Sequence, residues 1–302
     1  MKSIIFFGEC MIELRQPNGQ NLEQAFAGDV YNAAVYLKRL NPNIQTSLST
    51  CVGQDQLSDA MLNAFKLEGI ATDLVLKDEI KVPGLYWIHT DEQGERSFTY
   101  WRSDSAAKQS VAHFSPDYID QLKQADYFFF SGISLAVIEN SLRQAFWEVI
   151  NILKDAGVKI VFDPNYRPKM WSSIEDTMSQ YNKAFQAADI ALPGIEDMSM
   201  LYNIHDIQST IDFYTPFAIE ELVIKDGSNT VHVLHDDTHY QIPITPVENV
   251  VDTTSAGDSF NGAYLGARLQ GASITDAVQA GALMAGTVIQ YPGAIIPLIA
   301  HR

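Results

Sequence analysis

The strongest constraint on the fold is an alternation that begins near residue 110. Short apolar runs are separated there by segments of helical periodicity: ADYFFFSGI (125–133), SLRQAFWEVINILKDAG, KIVFDPN (159–165), a long mixed segment, AADIALPG (187–194), another helix, and ELVIKDG (221–227). Strand then helix, repeated, calls for right-handed crossovers that lay helices over both faces of a sheet. The expected fold is therefore α/β, with a mostly parallel central sheet flanked by helices. Ligands of such sheets gather at the carboxyl ends of the strands. Those ends carry Gly132, Asp163 to Arg167, Pro193 to Asp197 and Lys225 to Gly227.

Two stretches depart from the alternation. MIELRQPNGQNLEQAFAG (11–28) and GLYWIHTDEQGERSFTYWR (84–102) read as β-hairpins, the second turning at DEQGE. If its strands pair symmetrically about that turn, Tyr86 and Ile88 share a face with Phe98, Tyr100 and Arg102, because cross-strand partners point the same way. That aromatic face, with one cation at its edge, suits either packed core or a subunit contact. No repeat, low-complexity tract or linker divides the chain. Residues 1–302 read as one domain in which the hairpins form a small β-sheet lid. A lid sheet with two faces to cover predicts a homodimer or higher homo-oligomer.

Composition narrows the partners. With 46% hydrophobic and 19% charged residues the chain is globular rather than disordered. A net charge of -17 and a pI near 4.6 remove the broad basic face that nucleic acid or an anionic membrane requires, so neither is an expected partner. An anionic ligand must be held by a few local cations and backbone N–H groups. Cys10 and Cys51 lack C-x-x-C spacing and fit a reduced, cytoplasmic location. The opening MKSIIFFGECMIEL, its apolar run cut by Glu9, reads as a first strand rather than a signal peptide or membrane span. His232, His235 and His239 fall close together, but strand residues three apart face opposite sides, so surface strand positions are expected rather than a metal site.

The stretch DTTSAGDSFNGAYLGARL (252–269) crowds Ser255, Ala256 and Gly257 just before Asp258. Phe260, Ala263, Tyr264 and Ala267 then recur on one helical face, so a helix begins near Gly257, and Gly271 offers its stop. The free N–H groups and positive dipole end at that start make an anion site without a lysine, suited to a phosphate chain. A plain strand-to-helix turn with Asp258 as a first-turn acid is the alternative. Neither G-x-x-x-x-G-K-[ST] nor a strand-following G-x-G-x-x-G occurs, so the standard P-loop and dinucleotide fingerprints are absent.

DTTSAGDSFNGAYL resembles the C-terminal signature of the ribokinase-like (PfkB) carbohydrate kinases, usually D-T-x-G-A-G-D-x-F, with Ser255 where glycine is commoner. AGDVYNAAVYL (27–37) resembles their N-terminal signature G-G-x-x-x-N-x-A, with Asp29 in place of the second glycine. GECMIEL, SGISLA, FDPNYRPKMW and VIQYPGAIIP extend the likeness along nearly the whole chain, toward members that phosphorylate a sugar acid. The resemblance implies phosphoryl transfer from ATP to the terminal hydroxyl of a 2-keto-3-deoxy sugar acid. It makes Asp258 the catalytic base and Ser255, Ala256 and Gly257 the anion hole, adjacent because they serve the two partners of one bond.

The same resemblance assigns Gly28, Asp29 and Asn32 to the sugar hydroxyls, with Tyr86, Tyr100 and Arg102 closing from the lid. Arg167 and Arg102 are suited to the carboxylate, which a guanidinium can hold bidentately. Asn165, Lys225 and Gly227 join the ATP pocket, with AGALMAGTV (280–288) flanking adenine. Mg2+ is expected with the nucleotide, and the family leaves room for a monovalent cation. Its N-x-x-E motif is degenerate here: Gly194 and Asp197 replace the asparagine and glutamate, and Glu196 and Asp197 would reach the metal through water. Taken singly, these residues have plainer roles, with Asp29 and Asn32 as helix caps, Arg167 paired to Asp163, and Asp226-Gly227 as a hairpin turn. A sister kinase for fructose or another sugar, or a silent sugar-acid sensor, are the competing readings. Asp258 speaks against the sensor, since binding alone needs no general base.

Overall fold

The apolar runs become the strands of one large sheet buried on both faces. In the computed structural model, which describes residues 1–16, 21–90 and 96–298, the strands are β1 (Ser3–Phe7), β2 (Met11–Arg15), β3 (Glu23–Ala27), β4 (Gln45–Val52), β5 (Val75–Lys77), β6 (Leu85–Thr90), β7 (Arg96–Trp101), β8 (Tyr127–Ser131), β9 (Lys159–Asp163), β10 (Ile190–Ala191), β11 (Glu221–Asp226), β12 (Thr230–His235) and β13 (Thr238–Pro243). Nine of them form a sheet in the order β13-β12-β11-β10-β9-β8-β1-β4-β5. Its neighbours run parallel except for the β11-β12-β13 meander at one edge.

Side-chain alternation divides the core into two layers. Ile4, Phe6, Phe129, Val161 and Val223 face one way, against helices Asp29–Leu40, Ala256–Leu269 and Ile274–Val288. Ile5, Phe7, Phe128, Phe130, Ile160, Phe162 and Ile224 face the other way, against helices Arg143–Asp155 and Ile174–Ala187. Because both faces are covered, apolar side chains fill consecutive central positions of these strands, which is why the runs are unbroken there. Among the described residues no helix is long and apolar enough to cross a membrane.

The two hairpin stretches pair into a second, four-stranded sheet, β3-β2-β6-β7, in which β2 runs parallel to β6 and the other neighbours antiparallel. Tyr86 opposes Tyr100 and Ile88 opposes Phe98, the register that symmetric pairing demands; the turn at 91–95 lies outside the described residues. The aromatic face begins in the interior and runs out to solvent. Tyr86 is buried, whereas Phe98 and Tyr100 are 43% and 52% exposed. On the β12-β13 hairpin, the His232 and His239 rings meet at 3.0 Å, while His235 turns toward the Glu220 carbonyl.

One close approach positions the functional region. Helix Ala256–Leu269 crosses helix Asp29–Leu40 at Gly262, where an added Cβ would stand 2.2 Å from the Ala33 carbonyl oxygen. No side chain fits there. Gly262→Ala should therefore force the helices apart and lower stability by about 1–3 kcal/mol in urea unfolding. An unchanged unfolding midpoint would mean that the helices can separate freely.

Candidate active site

The helix carrying Asp258 begins at Ala256, one residue before the position its sequence suggests. Ser255 precedes it with φ 64 and ψ 12, a left-handed conformation that turns the chain sharply into the helix. The Ala256 N–H donates to the Thr253 carbonyl at 3.2 Å, closing that turn. The N–H groups of Gly257 and Asp258 find no acceptor among the described residues. Gly257 is exposed, and nothing lies within 4 Å of where its Cβ would be. The positive end of the helix thus faces open space, with donors available to an anion.

Around this turn, strand ends and a second helix start bring carboxylates and amides together. Asn32 Nδ2 donates to Asp258 Oδ2 at 2.9 Å, and Asn32 Oδ1 accepts the Gly28 N–H at 3.3 Å. Gly28 is required by crowding, since a Cβ there would lie 2.3 Å from the Glu9 carbonyl oxygen. Asp29 Oδ2 accepts from Ser131 Oγ at 2.5 Å and from Asn165 Nδ2 at 3.1 Å. Asn165, at the end of β9, itself has a left-handed backbone (φ 35), which asparagine tolerates better than most residues. Asp163 accepts from Asn261 Nδ2 at 2.7 Å and from Lys225 Nζ at 3.4 Å, and Lys225 also reaches Asn261 Oδ1 at 3.0 Å.

Such crowding moves proton affinities. Burial, first, and then the Asp29 and Asp163 charges push Asp258 up to about 7, against the lowering influence of the Asn32 amide and the Ser255 hydroxyl. Asp29 is also raised, chiefly by burial, with Ser131 and Asn165 opposing. A carboxylate that takes up a proton near neutral pH and stands beside open N–H donors is equipped as a general base at an anion site.

The remaining candidates divide by what already engages them. Arg102, at the end of β7, is bonded to the buried Glu9 carboxylate and lies 3.7 Å from Met170 Sδ. The Tyr86 hydroxyl donates to buried Glu13, and Tyr100 packs on the Tyr86 ring at a centroid distance of 5.8 Å. Arg167 is exposed and donates to the Tyr166 carbonyl; among the described residues it has no carboxylate partner, so the pairing with Asp163 does not form. Gly227 (φ 53) occupies the exposed turn from β11 to β12, the plainer of its two readings, while the Lys225 side chain joins the carboxylate cluster.

Asp197 serves as a helix cap. Its Oδ1 accepts the Tyr166 N–H at 2.7 Å and its Oδ2 the Gly194 N–H at 3.2 Å, which fastens the segment after β9 to helix Ile195–Tyr202. Burial and the Asp163 charge raise it to about 6. Glu196 is exposed. Among the described residues no group of three or more His, Cys, Asp or Glu side chains could hold a metal ion. Of the two acids the sequence suggested for Mg2+, Asp197 has both oxygens engaged by backbone N–H groups and Glu196 is exposed, so Glu196 would be the one to meet a hydrated ion.

Sequence reasoning missed Glu9, Glu13, Ser131 and Asn261 as members of this cluster. Signals existed for three of the four, two of them acids inside the apolar opening segment, Glu9 and Glu13. A third was the spacing of Asn261, one helical turn beyond Asp258.

A proton-accepting carboxylate at a helix start, open to an anion at the carboxyl edge of a parallel sheet, is the arrangement that phosphoryl transfer to a small molecule requires. Residues 1–301 match the pfkB family carbohydrate kinases, and the chain belongs to that family. It is a sugar kinase of a type that uses ATP. It is 41% identical to the 2-dehydro-3-deoxygluconokinase of Dickeya dadantii, over 98% of this chain and 97% of that protein. Against the 2-dehydro-3-deoxygluconokinase of Escherichia coli K12 the identity is 38%, over 98% and 97%. The fold is also that of a putative ribokinase II from Escherichia coli in complex with ATP and Mg2+, with a TM-score of 0.83 at 21% identity, covering 97% of this chain and 94% of that one.

The raised Asp258 carries a stability consequence. Its folded-state value of about 7 lies above the ordinary 3.8, so its ionisation opposes folding progressively as pH rises between those values, and fully above 7. Asp258→Asn removes that charge. Its stability advantage over wild type in urea unfolding should be larger at pH 8 than at pH 4.5 by about 1–3 kcal/mol. The same difference at both pH values would mean that Asp258 feels no such burial.

Proposed function

We propose that the enzyme transfers the γ-phosphoryl group of ATP to the C6 hydroxyl of 2-dehydro-3-deoxygluconate, also called 2-keto-3-deoxygluconate, giving the 6-phosphate and ADP. The observation that carries this reading is the juxtaposition of Asp258 with the unengaged Gly257 N–H. Asp258 takes the C6 hydroxyl proton, the freed oxygen attacks the γ-phosphorus, and the bond to the β,γ-bridging oxygen breaks. The Gly257 N–H and the helix dipole receive the charge that develops on the phosphoryl oxygens, joined by the Ala256 N–H if its turn bond lengthens. Lys225 supplies positive charge on the nucleotide side. Mg2+ bound with ATP would neutralise phosphate charge, approached by Glu196 through water.

The identity of the acceptor is supported by the named relatives and by the distribution of charge. Glu9 offsets Arg102, which leaves Arg167 as the guanidinium available to the sugar acid's carboxylate. Arg102 keeps further N–H donors for the sugar, and Tyr86, its hydroxyl proton given to Glu13, offers its ring and a lone pair. Asp29, Asn32 and Gly28 lie beneath, and the small sheet acts as a lid over them. The half-exposed Phe98, Tyr100 and Trp101 suit a homodimer formed through that sheet.

Asp258→Asn should lower kcat with 2-dehydro-3-deoxygluconate by about 10²- to 10⁴-fold while leaving both KM values near wild type. Near-normal turnover would remove Asp258 from the base role. Arg167→Ala should cut kcat/KM for the sugar acid by roughly 30-fold to several thousandfold, as expected for a lost charge-assisted pair. A neutral ketose such as fructose has no carboxylate to lose and should be affected far less. ADP release measured with both sugars on both proteins gives the difference, and equal losses would return Arg167 to a structural role.

A further inference from the structure

Ser255 is anomalous in three respects. Its backbone sits at φ 64, ψ 12, a conformation that glycine adopts freely and a residue with a Cβ adopts only with strain. It is the N-cap residue of helix Ala256–Leu269 and of a type that caps well, yet its side chain makes no cap. Its Oγ is buried and has no hydrogen-bond partner among the described residues, a condition that native structures seldom leave uncompensated. Glycine would remove all three penalties.

What lies next to that hydroxyl is Asp258, on the first turn of the same helix. The Ser255 side chain acts to lower the proton affinity of the Asp258 carboxyl without being aligned as a hydrogen bond. Asp258 has few other supports. Asn32 donates to Oδ2, and no cation pairs with Asp258 among the described residues, since Lys225 is committed to Asp163 and Asn261. The charged groups that bear on it are Asp29, held by Ser131 and Asn165, and Asp163, held by Lys225 and Asn261, and both repel its ionised form. An ionised Asp258 therefore lacks a second donor, and Ser255 carries one that nothing uses.

We propose that Ser255 is a positioning residue whose hydroxyl turns onto the Asp258 carboxylate when that group is ionised, and holds it there together with the Asn32 amide. With this left-handed backbone the hydroxyl makes no bond to the helix N–H groups that a serine N-cap ordinarily serves, and Oγ remains buried and free to turn. The strain is then part of the site. The kinetic consequence rests on Asp258 being the base, as proposed above, but the hydrogen bond does not.

Two variants separate the hydroxyl from the strain: Ser255→Ala keeps the left-handed side chain and deletes Oγ, and Ser255→Gly deletes both. The direct readout is NMR titration of the ¹³C-labelled Asp258 carboxyl in the unliganded enzyme, with the resonance identified by its loss in Asp258→Asn. The titration midpoint should rise by roughly one pH unit in both variants, as expected when a donor to the charged form is removed. The acid limb of kcat/KM for 2-dehydro-3-deoxygluconate should move with it, so that activity falls roughly eightfold at pH 6.5 and less than about twofold at pH 8.5. Ser255→Gly should unfold at the same or a higher temperature than wild type, which rules out lost folding as the cause. An unmoved carboxyl midpoint in both variants overturns the proposal, whatever the enzyme phosphorylates. A moved midpoint in an enzyme that fails to phosphorylate 2-dehydro-3-deoxygluconate keeps the hydrogen bond and rejects the substrate.

Discussion

Mutual repulsion among three closely set carboxylates, one buried and two half-buried, is the constraint on which this site depends. Asp29, Asp163 and Asp258 act on one another's charge, and the arrangement holds because each is met by donors from a different part of the chain. Three of the donors are neutral amides: Asn32 on Asp258, Asn165 on Asp29 and Asn261 on Asp163. The cation of the group, Lys225, pairs with Asp163 rather than with Asp258. That allocation has a chemical purpose. A cation against Asp258 would lower its proton affinity, whereas an amide orients the carboxylate and lets burial keep its pKa near neutrality, as the proposed base role requires.

A second pair of acids ties the small sheet to this centre. Glu9 and Glu13 come from one short stretch at the end of β1 and in β2, both are buried, and each holds a side chain of the hairpin β6-β7, Arg102 and Tyr86 respectively. Removing one partner of a buried ion pair leaves the other uncompensated, so the Glu9 to Arg102 contact fixes where β7 meets the body of the enzyme. It also makes that edge nearly neutral. In a chain with a net charge of -17, an anionic sugar acid approaches against the overall field, which is the reason the proposed role of Arg167, without an acid partner among the described residues, matters.

Much of the architecture was legible in the chain. Strands β8, β9 and β11 stood out because parallel strands covered on both faces favour unbroken apolar runs such as FFF, IVF and LVI, whereas β4, with Thr46, Ser47, Ser49 and Thr50 buried, carries no such run. The β6-β7 register followed because symmetric pairing about a short turn aligns the same residues that the structure aligns. The helix start at Ala256 was visible because small residues before an acid, ahead of an amphipathic stretch, mark such a start. The hold of Asp197 on the Tyr166 N–H was not legible, since that N–H comes from the end of a different crossover.

What the chain determined by itself was local: which segments are strands and helices, where they turn, and which turn can receive an anion. Those properties follow from periodicity and from the conformations open to a few small residues. The tertiary structure alone decided which charges are neutralised and which remain available, giving Arg102 to Glu9, Tyr86 to Glu13 and Lys225 to Asp163 while leaving Arg167 without an acid among the described residues. Electrostatic pairing depends on separation through space, and neither the order of residues nor their spacing along the chain contains that distance until the strands have been laid side by side.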